Sequence, residues 1–300
     1  MRRLKRHAAC LTAVLALTVA GAHSAAADVV LKNETEEDFK AIYCVNDQGA
    51  TKEVTGALAG GASVTVTPNK LPEYECNRIA VLLDGEEGWQ FYHEPEPAAA
   101  SEIIFAMDKP NPQAGEYPSL LISSGGEDYL APAGMPLGML VQVMEFGLDE
   151  ARWKEIAVPG VDPMENDDFV VSFADQSWDM HGDGMVFKEL VPGMQLAASL
   201  SLETEFSNTT VLAVFEGLKS FGCVPTYLIY SGNEKILDDA MPEEARWDAV
   251  NECMAKAADG DGGAVRIVFG NEGFTIGLVL DLDTSEAVLS IERKKDAAFG

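Results

Sequence analysis

The chain has 300 residues, 47 % of them apolar and 23 % charged, which suits two ordinary domains with packed cores and argues against wholesale disorder. Its 49 Asp and Glu outnumber 21 Lys and Arg, for a formal charge of −28. A field of that sign repels nucleic-acid phosphates and anionic lipid, and favours cations, basic proteins or simple solubility.

The first stretch reads as an address. Arg2, Arg3, Lys5 and Arg6 are followed by the uncharged run AACLTAVLALTVA and by Ala25-Ala26-Ala27. A basic start, a short apolar run and a small-residue site are the parts of a cleaved secretory signal peptide. The apolar run falls short of the roughly 20 residues of a membrane-spanning helix, so no membrane span is expected after cleavage. Residues 1–27 are therefore expected to be a signal peptide. The mature chain, more acidic still, is expected in the periplasm or outside the cell, where disulfides persist.

Residues 28–109 read as short strands. DVVLK, FKAIYCV, ASVTVTP, NRIAVLLD, WQFYH and EIIFAMD are rich in β-branched and aromatic residues, and turn signals such as Gly60-Gly61 and Asp84-Gly85 separate them. That spacing predicts a small all-β sandwich. Cys10 leaves with the signal peptide, and four cysteines remain: Cys44, Cys76, Cys223 and Cys253. Three pairings are open to four cysteines. Pairing in sequence, Cys44 with Cys76 and Cys223 with Cys253, is expected, because a breaker-rich stretch divides the two sets. Each bridge would stabilise its part by about 2–4 kcal/mol in the chain-entropy picture. Two strands tied by a bridge resemble the general habit of immunoglobulin-like sandwiches, although no Trp lies between Cys44 and Cys76.

From 110 to 136, nine Pro and Gly residues in all, counting from Pro110 to Pro136, predict an interdomain linker with one short strand at SLLIS. Residues 137–300 read as an α+β domain with an antiparallel sheet. LGMLVQVMEFG reads as a strand and 149–157 as a short helix. DFVVSFA, MVFKEL and MQLAASLSLE read as strands, and VLAVFEGLKSF as a helix capped by Asn208, Thr209 and Thr210, with Leu212, Phe215, Leu218 and Phe221 on one face. VPTYLIY is a strand. Pro242 opens the helix EEARWDAVNECMAKAA, whose apolar face carries Cys253. AVRIVFG, FTIGLVLDL and EAVLSIERK close the chain as a meander. Asp149-Glu150-Ala151-Arg152-Trp153 recurs as Glu243-Glu244-Ala245-Arg246-Trp247, through duplication or through common helix-start chemistry.

Chemistry is thinly represented. After cleavage only His93 and His181 remain, and no G-x-S-x-G, P-loop, H-E-x-x-H or C-x-x-C motif occurs. No cofactor is expected. The stretch DQSWDMHGDGM places Asp179, His181 and Asp183 in alternation, which resembles the front of a calcium loop. The twelfth position, where such a loop needs Glu, is Leu190. Met185, beside His181, adds a thioether suited to Cu(I). These residues are the candidate metal ligands, against a plainer reading as tight Asp–Gly turns. Asp259-Gly260-Asp261-Gly262 has the same front. The expected function is non-enzymatic binding or interaction, with a cationic or protein partner. The alternatives are a carboxylate-based hydrolase in the C-terminal domain and a metal-binding protein.

Overall fold

The computed structural model describes residues 27–46, 50–85, 89–93, 100–108, 117–147, 169–238, 240–258 and 263–295. The expected signal peptide, the helix expected over 149–157, the first copy of the Glu-Ala-Arg-Trp echo and the Asp259 turn lie outside these residues.

The alternating segments of the first third form strands as expected: β1 (Val29–Asn33), β2 (Phe39–Val45), β3 (Thr51–Thr55), β4 (Ser63–Val66), β5 (Arg78–Leu83), β6 (Gln90–His93) and β7 (Glu102–Asp108). The stretch read as a linker is different from residue 117 onward. It supplies β8 (Ser119–Ser124) and β9 (Glu127–Pro132), which extend the first sheet. Its glycines do not interrupt a strand. Gly125 and Gly126, both left-handed, make the turn between two strands that pair in register from Ser119↔Pro132 to Ser124↔Glu127. Pro132 ends the outer strand, where a missing N–H costs no ladder bond.

Two sheets result, in the orders β4-β1-β7-β8-β9 and β3-β2-β5-β6. β1 pairs antiparallel with β4 and parallel with β7. The sheets share an apolar core of Leu31, Ile103, Phe105 and Ile122 against Phe39, Ile42, Ile79 and Val81. Phe39 meets Phe105 edge-on at 5.4 Å. The shared core makes these two facing β-sheets.

The second part is built on a nine-stranded sheet, β10-β11-β12-β13-β18-β17-β16-β14-β15. Its strands are β10 (Met135–Pro136), β11 (Val170–Phe173), β12 (Gln176–Val191), β13 (Met194–Glu205), β14 (Val224–Tyr230), β15 (Asn233–Ile236), β16 (Ala264–Gly270), β17 (Phe274–Asp281) and β18 (Glu286–Arg293). All its pairs are antiparallel except β10 with β11. Among the described residues, three helices accompany it: α1 (Leu137–Phe146), α2 (Asn208–Ser220) and α3 (Glu243–Ala258).

Helix α1 corrects the strand expected at LGMLVQVMEF. An apolar run of this length suits a buried strand or a buried helix equally by periodicity. Leu and Met, which favour helices, outweigh its two Val residues. Leu137, Met139, Leu140, Val143 and Met144 are all buried, and Gly147 ends the helix in a left-handed conformation. The cap of α2 is Ser207, one residue before the expected run; its hydroxyl accepts from the Thr210 N–H at 3.3 Å. The buried face of α2 is Val211, Val214, Phe215 and Leu218, and Leu212, expected there, is 61 % exposed. Phe215, Trp247 of α3 and Phe269 of β16 form an aromatic cluster with centroids 5.5–6.3 Å apart.

The central strands of the four-stranded sheet, β2 and β5, are buried on both faces. Alternate residues Ile42, Cys44, Ile79 and Val81 face the first core, while Ala41, Tyr43, Val45, Ala80 and Leu82 join the core of the second part. FKAIYCV is therefore apolar almost throughout, and its alternation is blurred.

Neither expected disulfide is present: the four cysteines are buried thiols. Cys44 and Cys76 do approach each other, and their mutual hydrogen bond, with burial, raises the Cys76 thiol pKa far above its ordinary value. The Cys76 thiol donates to the Arg78 carbonyl at 3.2 Å. Cys223 and Cys253 are in different surroundings. Cys223 follows α2 and lies in the field of Lys294, while Cys253 on α3 lies among Glu252, Lys256 and Lys235.

Candidate functional site

A cleft of about 740 Å³ opens where the two parts meet. Strand β5 contributes Arg78, β6 contributes Tyr92, and β9 contributes Asp128 to Pro132. Pro136 to Gly138 come from the β10–α1 junction, Ser172 to Asp175 from the end of β11 and its turn, and Gly217, Ser220 and Phe221 from the end of α2.

The β11–β12 turn fixes one wall. Phe173 pairs with Gln176, leaving Ala174 and Asp175 as a two-residue turn. Both have positive φ, 56° and 57°. This is the handedness a tight hairpin prefers, because it matches the twist of its strands, but Gly or Asn normally supplies it. Asp tolerates the conformation, whereas Ala pays about 1 kcal/mol or more in steric crowding. Non-glycine strain of this kind gathers at functional sites.

Phe173 leads into that turn and forms the floor. Its carbonyl accepts from the Trp178 indole N–H at 3.0 Å. Its ring stacks on Phe221, with centroids 6.1 Å apart and an interplanar angle of 28°. The approach to α2 is close because residue 217 is glycine: a Cβ there would stand 2.6 Å from the Phe173 ring. Phe221 is held in turn. Its N–H donates to the Gly217 carbonyl at 3.2 Å, and the Asn271 side-chain amide donates to its own carbonyl at 3.1 Å.

The opposite wall is tied to this floor through the backbone. Gly134 donates its N–H to the Gln90 carbonyl at 2.8 Å, joining β6 to the β9–β10 connection. Its φ is 116°, and a Cβ would lie 2.7 Å from the Val170 carbonyl oxygen, so only glycine fits. The Ser177 hydroxyl donates to the Ala133 carbonyl at 2.6 Å.

The charges are unevenly placed. Asp128 and Asp175 are exposed lining residues, and Asp128 accepts from the Ser123 hydroxyl. Arg78 is half-buried, its Nη1 is shut off from solvent, and among the described residues it is the one cation of the lining. Beside it Tyr92 is buried and donates its hydroxyl to Gln90 Oε1 at 3.1 Å. Burial pushes the Tyr92 phenol pKa well up, against the pull of the Arg78 charge. Tyr92 therefore stays a neutral phenol across the physiological range.

The residues singled out as metal ligands are dispersed along a bulged strand. Asp179 sits in the ladder opposite Val170 and Glu203. The register then jumps from Met180↔Leu202 to Met185↔Leu200, and left-handed Gly182 and Gly184 make the bulge. His181 is exposed and contacts the Glu203 carboxylate through Nδ1. Asp183 is exposed, while Met185 is buried in the core. Among the described residues, no group of three or more His, Cys, Asp or Glu is placed to hold a metal ion. Met135, Met139 and Met144 are core residues.

A smaller groove of about 250 Å³ lies between α3 and the β14–β15 hairpin, lined by Cys253, Lys235, Glu252 and Lys256 among others. Burial raises the Cys253 thiol pKa, which makes it a poor nucleophile.

The cleft residues are not the candidates that spacing suggests, because they come from six separate segments. One local signal was available. Gly217 is an isolated glycine inside a helical pattern, which usually has a packing reason. Comparison with protein-family models, curated proteins and solved structures found no match.

Proposed function

We propose that the chain is an exported, non-enzymatic binding protein whose ligand is a small organic molecule lodged in the cleft between its two parts. The cleft supports this most. Its volume falls within the roughly 300–1,000 Å³ typical of organic-ligand sites. Its walls combine aromatic and aliphatic surface with a few polar groups, on elements tied together by backbone hydrogen bonds. Export rests on the composition of residues 1–27. The charge of −28 makes nucleic acid an unsuitable partner. Among the described residues, no helix is long and apolar enough to cross a membrane.

Thermal shift against a panel of small organic compounds tests the binding role. A true ligand at about 100 times its dissociation constant adds roughly 2.7 kcal/mol. That gain should vanish in Ser220→Trp, which puts an indole into the cleft from an exposed position. Compounds that shift both proteins equally, or none that shifts either, would defeat the proposal. Export is tested separately by N-terminal sequencing of the protein recovered outside the cytoplasm, which should begin near Asp28.

A further inference from the structure

We infer that the ligand is a short peptide, held extended in the cleft as a strand added to the free edge of β9. This rests on the cleft being a ligand site and names the class of ligand. β9 is the outermost strand of its sheet and pairs only with β8. The cleft is lined by consecutive residues of it, Asp128 to Pro132. Successive side chains of a strand point to opposite faces, so a cleft lying over one face would meet alternate residues. One that meets every residue in turn runs along the strand's edge.

The register shows what that edge offers. Gly125-Gly126 closes a two-residue hairpin, so Ser124 and Glu127 form a hydrogen-bonded pair, and such pairs recur at every second position. Glu127, Tyr129 and Ala131 therefore turn their main-chain groups to β8, while Asp128 and Leu130 turn theirs away. The residues that follow keep the same phase. The Ala133 N–H donates to the Pro118 carbonyl at 3.2 Å, on the β8 side, and the Gly134 N–H donates outward to the Gln90 carbonyl at 2.8 Å. Among the described residues, the outward N–H and C=O groups of Asp128 and Leu130 have no partner.

The same cleft holds the stacked Phe173 and Phe221 rings. A peptide answers both features. Its alternate amides are spaced about 7 Å apart, which is the spacing of the two open residues of β9, and its side chains can bury apolar surface on the rings. In strand addition the main-chain bonds give affinity and the surrounding walls select side chains. A flat aromatic compound without amides would fill the apolar space and leave the desolvated edge groups unpaired, which is costly.

The probes are capped pentapeptides, acetyl-Thr-X-Thr-X-Thr-amide with X valine, phenylalanine, lysine or glutamate, titrated into the wild-type protein by calorimetry. At least one should bind one-to-one, and Ser220→Trp should abolish that binding. The best binder is then made as two isomers, N-methylated at the second and fourth residues or at the third and fifth. A strand turns only alternate N–H groups to its neighbour, so one isomer should lose at least about tenfold in affinity and the other should bind as the parent does. On the protein, Leu130→Pro removes an open N–H at an edge position where proline breaks no ladder bond. It should bind the peptide about tenfold more weakly than Leu130→Ala, which keeps that N–H. Near-UV circular dichroism checks that both variants are folded, and the isomer comparison on the wild type stands if either is not.

Equal loss in the two isomers, or loss in neither, would overturn the added strand, as would a folded Leu130→Pro that binds like Leu130→Ala. Peptide binding indifferent to Ser220→Trp would lie outside the cleft and overturn it too. If no peptide binds while compounds of the thermal-shift panel still do, and lose their effect in Ser220→Trp, the peptide class falls and the cleft stands as a binding site. If neither peptides nor compounds bind, the binding role falls as well.

Discussion

Gly217→Ala should destabilise the protein, although the same change in most helices stabilises it. Residue 217 lies in the last third of α2. Replacing an interior helical glycine by alanine gains about 1 kcal/mol of helix propensity. Here the new methyl carbon would lie 2.6 Å from Phe173 Cε2 and 2.8 Å from Cζ, inside van der Waals contact. The ring has little room to withdraw. Phe173 is 8 % exposed, stacks on Phe221, lies 6.2 Å from Trp178 and precedes a turn with two left-handed residues. Overpacking of this kind costs about 1–3 kcal/mol. The net expectation is a loss of roughly 1 kcal/mol, with a range from near zero to about 2. Gly138→Ala in α1 is the internal control. Its Cβ would meet Phe221 at 3.7 Å, an ordinary contact, so propensity alone should act and the variant should gain up to about 1 kcal/mol. Urea unfolding followed by tryptophan fluorescence separates the two, provided m is unchanged. A second step checks the cause: Phe173→Leu, costly alone, should cost less in the Gly217→Ala background, because the two residues share one space. Stabilisation by Gly217→Ala equal to that of Gly138→Ala would show that Phe173 moves freely. The fixed aromatic floor of the cleft would then be refuted.

Ala174→Gly should stabilise the β11–β12 turn by roughly 1 kcal/mol, since a left-handed φ of 56° costs glycine nothing; a melt no higher than wild type would mean that the turn is not strained. Burial raises the Cys223 thiol from 9.0 to about 11. A raised folded-state value means that its contribution is complete below about pH 9 and lost as pH climbs through 11. Wild type should therefore lose up to about 2–3 kcal/mol more than Cys223→Ala between pH 8.5 and 11.5, by unfolding at fixed pH values; parallel pH profiles would contradict this. The cysteines described as buried thiols should react with a soluble aromatic disulfide at least tenfold more slowly in the native protein than in guanidinium. Equal rates would place them at the surface.

The strands of the first third are legible because their apolar residues are β-branched and aromatic and their turns carry Gly and Asp. The stretch 117–136 is not, because Gly and Pro mark a turn between strands as readily as a linker. Distinguishing the two requires knowing that β7 has an open edge for β8 to join. LGMLVQVMEF misleads for a related reason: a compact apolar run with only Gln142 and Glu145 polar shows too little periodicity to separate helix from strand. The Asp179–Met185 alternation lies on a strand, where Gly182 and Gly184 make a bulge. Cysteine order in sequence cannot supply Sγ positions. Cys44 and Cys76 do meet, while Cys223 and Cys253 sit in different surroundings.

The cleft has a physical origin in the four-stranded sheet. A sheet that packs against apolar surface on both faces cannot be solvated on either, so β2 and β5 must be apolar on both. Polar groups are then left to the sheet's ends and edges. Arg78 opens β5, and Tyr92 and Gln90 lie on the edge strand β6, where the ladder stops and a hydrogen-bonding group can find a partner outside the sheet. At that edge, Phe91 bridges to Ala133 and Gly134 bonds to Gln90, so the connection between β9 and β10 is fixed beside it. The space between them is what α1, the β11 turn and the end of α2 enclose. The cleft and the cohesion of the two parts thus share the Gln90–Gly134 contact. Gly134→Ala, which would put a methyl 2.7 Å from the Val170 carbonyl, should loosen both together: a lower melting temperature accompanied by loss of the thermal shift given by compounds that bind the cleft. If stability fell while that compound-induced shift held, the cleft would be a property of the second part alone, and the edge of the four-stranded sheet would have no role in it.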